Sequence, residues 1–224
     1  DISLTFEKGK TYFIVGFNGS GKTTLIKLLL RLYLPTKGEI LVDGANIKSI
    51  NLSQYYSNIS AIFQDFIEYP FNVYENVAIR TADKGAHRFN QVLNDVGMYD
   101  VVNQLPSKEH TLLMRDWSGG VDLSRGQWQK LAIARCIYGN SAISILDEPF
   151  SSIDAESESQ IISNIRTKSK QNTLIFITHR FSSITREDQI IVLKDGSIVE
   201  TGTHEELMRN KKIYFKLHDS QKLE

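Results

Sequence analysis

Gly16-Phe17-Asn18-Gly19-Ser20-Gly21-Lys22-Thr23 decides the fold. The stretch fits the pattern G-x-x-x-x-G-K-[ST], which has a mechanical meaning when a strand leads into it and a helix leaves it. Both flanks satisfy that condition. Thr11 to Val15 is an apolar run of strand length, and Lys22 to Tyr33 carries a helical pattern. Glycines let successive backbone N–H groups turn inward around phosphate oxygens, and the following helix presents its positive N-terminal end to the same anion. Lys22 is predicted to reach the β and γ phosphates, with the Thr23 hydroxyl on Mg²⁺. Gly16, Asn18, Gly19, Ser20, Gly21, Lys22, Thr23 and Thr24 are therefore the candidate cradle. The competing reading, a glycine-rich turn that holds no ligand, does not account for the strand and helix on either side. Alone, the loop predicts only that a nucleoside triphosphate binds.

Outward from the loop, further short apolar runs at Ser60 to Phe63, Ala142 to Leu146 and Leu174 to Thr178 read as strands buried on both faces. Helical patterns between them, notably Glu156 to Lys168, predict an α/β core with a mostly parallel sheet and crossover helices. Ile190 to Leu193, Asp195-Gly196 and Ser197 to Val199 read as a late hairpin, a small antiparallel part. From Pro70 to Gly139 helical signals dominate. Phe89, Val92, Leu93 and Val96 fall at i, i+3, i+4 and i+7, a face that must pack on something. The predicted class is α/β, a P-loop NTPase core of residues 1–69 and 140–224 with an inserted helical subdomain at 70–139. Hinges are expected near Gln64 to Phe71 and Gly139 to Ser141.

A second acidic motif narrows the chemistry. Ile143 to Leu146 ends in Asp147-Glu148, at the carboxyl edge where open α/β sheets bind ligands. Asp147 is suited to hold Mg²⁺, which leaves Glu148 to orient and polarise a water for attack on the γ phosphate. Without the phosphate loop, the two acids read equally well as a solvated turn before Pro149.

With these motifs goes Leu123-Ser124-Arg125-Gly126-Gln127, and here the chain resembles the ATP-binding-cassette family, whose signature is L-S-G-G-Q. The resemblance runs from about Ile2 to Leu207. It implies that Gln64, in Phe63-Gln64-Asp65, is the Q-loop glutamine, touching Mg²⁺ and facing a membrane domain. It implies that Ser151-Ser152-Ile153-Asp154 is the D-loop, with Asp154 near the nucleotide, and that His179, in Ile177-Thr178-His179-Arg180, is the switch histidine near the γ phosphate. The expected cofactors are ATP and Mg²⁺, and the expected catalytic set is Glu148, His179, Lys22 and Gln64. Ser124 is a good N-cap, with Trp128, Leu131, Ala132 and Arg135 at helical spacing behind it. A helix end of that kind attracts anions. In the family it caps the γ phosphate of ATP held by a second cassette, so Ser124, Gly126 and Gln127 join the nucleotide set, and the partner is a second ATP-binding domain, identical or different. Arg125 stands where the signature has glycine, placing a long cation beside the cap.

The late segments Ile190 to Gly196 and Glu200 to Leu207 are similar to those of exporters whose membrane and ATPase domains share one polypeptide. The Gly126-Gln127-Trp128-Gln129 run is similar to exporters of bacterial peptides such as lantibiotics and bacteriocins. Such a domain would work at the cytoplasmic face of a membrane through its membrane domain, expected N-terminal to this chain. The stretch Met114 to Val121 departs from the T-x-V-G-E-like run of many exporters. The aromatic that stacks on adenine in the family would precede Asp1, and Tyr12 and Phe13 read instead as core strand residues.

Bulk properties agree. Twenty-six basic residues balance twenty-six acidic ones, so no broad attraction to nucleic acid is implied. Cys136 has no partner for an internal disulfide and reads as a small buried helix residue. The longest apolar candidate, Leu25 to Leu34, is short and broken by Lys27 and Arg31. The chain starts at Asp1 with Ile2, Leu4 and Phe6 alternating like a strand in progress, as in a piece of a longer polypeptide. Rival classes are a DNA-repair or chromosome-organising ATPase, which would carry sustained heptads between Lys22 and Ser124, a translation factor with paired cassettes and basic segments, and a nucleotide sensor that does not hydrolyse.

Overall fold

A computed structural model describes residues 2–80, 85–114 and 120–221. They fall into two compact units, Asp1–Ser60 with Ser141–Asp147 and Gln171–Glu224, and Ala61–Asn140 with Glu148–Lys170.

The first unit is built on β1 (Thr11–Val15), which runs through the glycine loop into α1 (Lys22–Leu29). β2 (Leu41–Val42) and β3 (Ala45–Asn46) form a small antiparallel hairpin, and α2 (Leu52–Ser57) leads to β4 (Ile59–Ile62). β5 (Ile143–Asp147), β6 (Thr173–Ile177), β7 (Gln189–Lys194) and β8 (Ser197–Gly202) complete a six-stranded sheet of order β4-β5-β6-β1-β7-β8. The β5–β6, β6–β1 and β1–β7 pairs are parallel, and the β7–β8 pair is the predicted antiparallel hairpin. Strands buried on both faces explain the unbroken apolar runs: Phe13, Ile14, Ile145, Leu146, Ile177 and Ile190 are all essentially without exposure. Tyr12 and Phe13 are core strand residues, and Phe13 stacks on Phe176 with ring centroids 5.2 Å apart.

The structure departs from two expectations. The helix after the loop stops at Leu29 and does not reach Tyr33. It closes in a Schellman motif in which Leu32 N donates to Lys27 O at 2.8 Å and Arg31 N to Leu28 O at 3.0 Å. The left-handed residue is Arg31 (φ 55°), not glycine, and its guanidinium bonds Ile50 O and Lys48 O at 2.7 and 2.9 Å. The second correction concerns Ile2 to Phe6, whose alternation is not realised as a strand among the described residues. Phe6 instead sets its ring edge-on to Tyr12, at 4.9 Å.

The second unit is helical: α3 (Val73–Ala78), α4 (Gly85–Asp95), α5 (Tyr99–Asn103), a single 3-10 turn at Lys108–His110, α6 (Arg125–Tyr138) and α7 (Ala155–Lys168). The predicted face of Phe89, Val92, Leu93 and Val96 is buried, and α4 packs on α6. Each such side chain contributes about 1.5–3 kcal/mol relative to exposure. Along α6, Trp128, Leu131 to Ala134 and Cys136 to Tyr138 are buried, as befits the central helix of a small bundle. Two further helices in the first unit, α8 (His204–Asn210) and α9 (Ile213–Gln221), pack together and bury Leu207 and Tyr214.

Candidate functional site

The parallel register fixes the edge on which the first unit can act. Ile14 pairs with Ile177 across β1 and β6, and Ile177 pairs with Asp147 across β6 and β5. These three residues lie in one row, spaced about 4.8 Å from strand to strand. The chain therefore leaves three neighbouring strands at the same edge: into Gly16 from β1, into Thr178-His179 from β6, and into Glu148 from β5. Asp147, 5% exposed, closes β5. His179 is half-buried, at the centre of a tight turn in which Arg180 N donates to Thr178 Oγ1 at 2.8 Å. Glu148 has φ 47°, a left-handed conformation that costs a non-glycine residue on the order of 1 kcal/mol or more and recurs where function over-determines the backbone.

The loop is braced from behind. A Cβ at Gly16 would lie 2.3 Å from Leu193 O and 2.7 Å from Ser20 Oγ, so only glycine fits between β7 and the loop. Gly196 N, in the turn between β7 and β8, donates to Ser20 O at 3.0 Å. Lys22 is 7% exposed, and its ammonium donates to Gly16 O at 2.8 Å and Phe17 O at 3.1 Å. The charge is thus held inside the loop by the loop's own carbonyls.

A triphosphate fits this arrangement. Gly21 is the N-cap of α1 and supplies no side-chain capping hydrogen bond, so the positive end of the helix faces the loop. Ser20 Oγ is buried with no hydrogen-bond partner, an orphan inside the cradle. Thr23 and Thr24 are exposed on the first turn.

In the second unit, Ser124 caps α6 in a capping box: its Oγ accepts from Gln127 N at 3.3 Å, and Gln127 Oε1 accepts from Ser124 N at 2.9 Å. Asp154 caps α7 by accepting from Ser157 N at 2.8 Å, and that hydrogen bond holds its carboxyl below the ordinary carboxylate range. The two motifs meet. A Cβ at Gly126 would stand 2.8 Å from Ser152 O, so the first turn of α6 lies directly against the segment leading to Asp154. Gln129, 1% exposed, rivets the junction: its Nε2 donates to Ser151 Oγ at 2.9 Å and Glu148 O at 3.4 Å, and its Oε1 accepts from Ser152 N at 2.8 Å. Sequence reasoning missed Gln129. The signal for it was a polar residue on an otherwise apolar face, between Trp128 and Leu131. Gln64 is exposed, two residues past β4. Five residues of the stretch that departs from the exporter pattern, 115–119, lie outside the described residues.

The first unit thus brings the loop, Asp147 and His179 to one sheet edge. The second brings Ser124, Gly126 and Gln127 against the 151–154 segment that follows Glu148. A phosphate loop between a parallel strand and a helix marks the fold of the P-loop nucleoside triphosphatases. The family model described as "ABC transporter" matches residues 1–151, and the chain belongs to that family. It is 38% identical over 223 residues to the subtilin transport ATP-binding protein SpaT of Bacillus subtilis, covering 98% of this chain and 36% of the relative. It is 40% identical over 223 residues to a putative multidrug export ATP-binding/permease protein of Staphylococcus aureus, covering 100% of this chain and 38% of the relative. A solved bacterial Atm1-family ABC exporter with ATP bound superposes with TM-score 0.89 at 30% identity, over 96% of this chain and 37% of that one. The chain spans little more than a third of the length of these proteins. No helix among its described residues is long and apolar enough to cross a membrane.

Proposed function

We propose that this chain is one of two ATPase domains that drive export through a membrane domain, and that its nucleotide site is completed by the second copy or a paralogue. The observation that carries the reading is the row of Ile14, Ile177 and Asp147, from which the phosphate loop and His179 continue at the edge where Asp147 ends β5. Lys22 and the leading N–H groups of α1 would hold the β and γ phosphates. Thr23, Asp147 and Gln64 are the residues suited to hold Mg²⁺, which when bound neutralises charge on the phosphate oxygens. Glu148 orients the attacking water, and His179 lies on the γ-phosphate side. Ser124, Gly126 and Gln127, with Asp154 behind them, present an anion-attracting helix end to the nucleotide held by the other domain.

The 70–139 lobe and Gln64 would pass closure of the two domains to the membrane domain, at the cytoplasmic face of the membrane. Two relatives are named for transport of subtilin and for multidrug export. We favour a peptide cargo, on the Gly126-Gln127-Trp128-Gln129 run.

Glu148→Gln tests the central claim. Blocked at hydrolysis but able to bind, the variant should form a dimer with ATP and Mg²⁺ that light scattering detects and that disperses without nucleotide. A variant that stays monomeric at saturating ATP would defeat the composite site. Transport into inverted vesicles, with a labelled lantibiotic-type peptide against a hydrophobic dye, decides the cargo.

A further inference from the structure

Residues 63–71, which follow β4 and include Gln64, run beside α6 without regular secondary structure. One end of this segment is firmly fixed by Arg135. Its Nη1 donates to Ile67 O at 3.0 Å, and its guanidinium lies 4.6 Å from the Tyr69 ring centroid. Its Nε and Nη2 bond Asn76 O and Oδ1 at 2.9 and 2.8 Å, and Asn76 Nδ2 in turn donates to Tyr69 O and Phe71 O at 3.1 and 3.2 Å. Phe66, the residue before Ile67, has a different fastening. Arg125, the first residue of α6, lies over the Phe66 ring, 5.8 Å from its centroid. Two arginines ten residues apart, about 15 Å along the helix, therefore hold neighbouring parts of one irregular segment, Arg125 at Phe66 and Arg135 from Ile67 onward.

The two fastenings differ in strength for physical reasons. Charge-assisted hydrogen bonds hold the Arg135 end. Arg125 is exposed, and among the described residues its side chain meets the ring alone, so its contact is of the weaker kind. Arg125 also stands in the first turn of α6, where the helix end repels a cation, and the π face of Phe66 offers its guanidinium a favourable direction away from that end. A glycine at this position would have no side chain with which to make the contact.

We propose that Arg125 is a positioning residue: through Phe66 it couples the segment carrying Gln64 to the first turn of α6, which carries Ser124 and Gln127. A displacement of residues 64–67 is passed to the capped helix end while the ring contact holds, and is absorbed by the segment once it breaks. The consequence for turnover rests on the ATPase reading above. The coupling itself does not.

The test uses the full-length protein, first without nucleotide. Amide hydrogen exchange is followed in peptides covering 63–71 and 123–130 for the wild type, Arg125→Gln, Phe66→Leu, their double variant and Phe66→Tyr. Arg125→Gln keeps a helix-compatible side chain and should speed exchange in 63–71 about threefold, the scale of one exposed cation–π contact. Phe66→Leu should speed exchange in 123–130, the double variant should add nothing to either single, and Phe66→Tyr, which keeps the ring, should match the wild type. Unchanged exchange of 63–71 in Arg125→Gln, or single effects that multiply in the double variant, would overturn the coupling. ATP hydrolysis on the same samples should show a lower kcat at constant KM in both singles, and equal kcat in all would overturn the role in turnover. Coupled exchange in a wild type that does not hydrolyse ATP would sink the ATPase reading and leave the coupling standing.

Discussion

At the scale of single residues, Gly16 in the first unit and Gly126 in the second stand where only glycine fits, and Glu148 is strained. Glu148 is held left-handed at the end of β5, and its carbonyl is tied to Gln129. Gly126 leaves 2.8 Å between a would-be Cβ and Ser152 O, and the obstructing atom belongs to backbone. Gly126→Ala should therefore displace the junction between α6 and residues 151–154 and destabilise the protein by about 1–3 kcal/mol, measured by urea unfolding. A loss below half that range would show that the junction gives way easily. His179 is half-buried past β6, away from the packed core of the sheet. Its replacement by alanine should leave ATP binding within a factor of two and slow hydrolysis at least tenfold, read by nucleotide titration and phosphate release. Equal turnover would remove it from the chemistry. The phosphate loop and the acid pair were legible in the sequence because their chemistry demands fixed residue types at fixed spacing. Gln129 showed only as a polar residue on an apolar face and the Gly126 approach not at all, because what each does depends on a contact with a segment 19 or more residues away.

At the scale of elements, caps decided what could be read. Ser124 announces the start of α6 as a good N-cap, closed by Gln127 into a capping box, whereas Asp154 caps α7 through Ser157 N alone and was read in the sequence only as part of the D-loop. The end of α1 was hidden because its left-handed closing residue is Arg31, held by carbonyls of Lys48 and Ile50 that no local pattern reveals. The cap on α7 carries a pH dependence. The Ser157 N–H favours the ionised Asp154, so the folded carboxyl titrates below its unfolded value. Its contribution is fully present above the unfolded value and is lost as pH falls through the lower folded one. Asp154→Asn keeps a competent cap without the charge, so its stability relative to the native protein should improve as pH drops from 5 towards 2, measured by thermal melts across that range. A difference that stays constant with pH would mean that the carboxylate charge adds nothing to the cap.

At the scale of the whole molecule, strand order was beyond reach of the sequence. The apolar runs declared strands, but nothing in them says that β6 lies between β1 and β5, which is what aligns Ile14, Ile177 and Asp147. Nor does anything local say what stands behind the phosphate loop. Asp195-Gly196 looks like an ordinary exposed hairpin tip, the sort of place where an epitope tag or a fluorescent fusion is inserted without harm. Yet Leu193 O presses on Gly16 and Gly196 N holds Ser20 O. A short Gly-Ser insertion between Asp195 and Gly196 should weaken ATP binding at least tenfold, whereas the same insertion between Asp43 and Gly44, at the β2–β3 tip, should leave it within a factor of two in a nucleotide titration. The tip of the last hairpin is the anvil on which the first loop is shaped, so protein engineers should treat it as part of the nucleotide pocket.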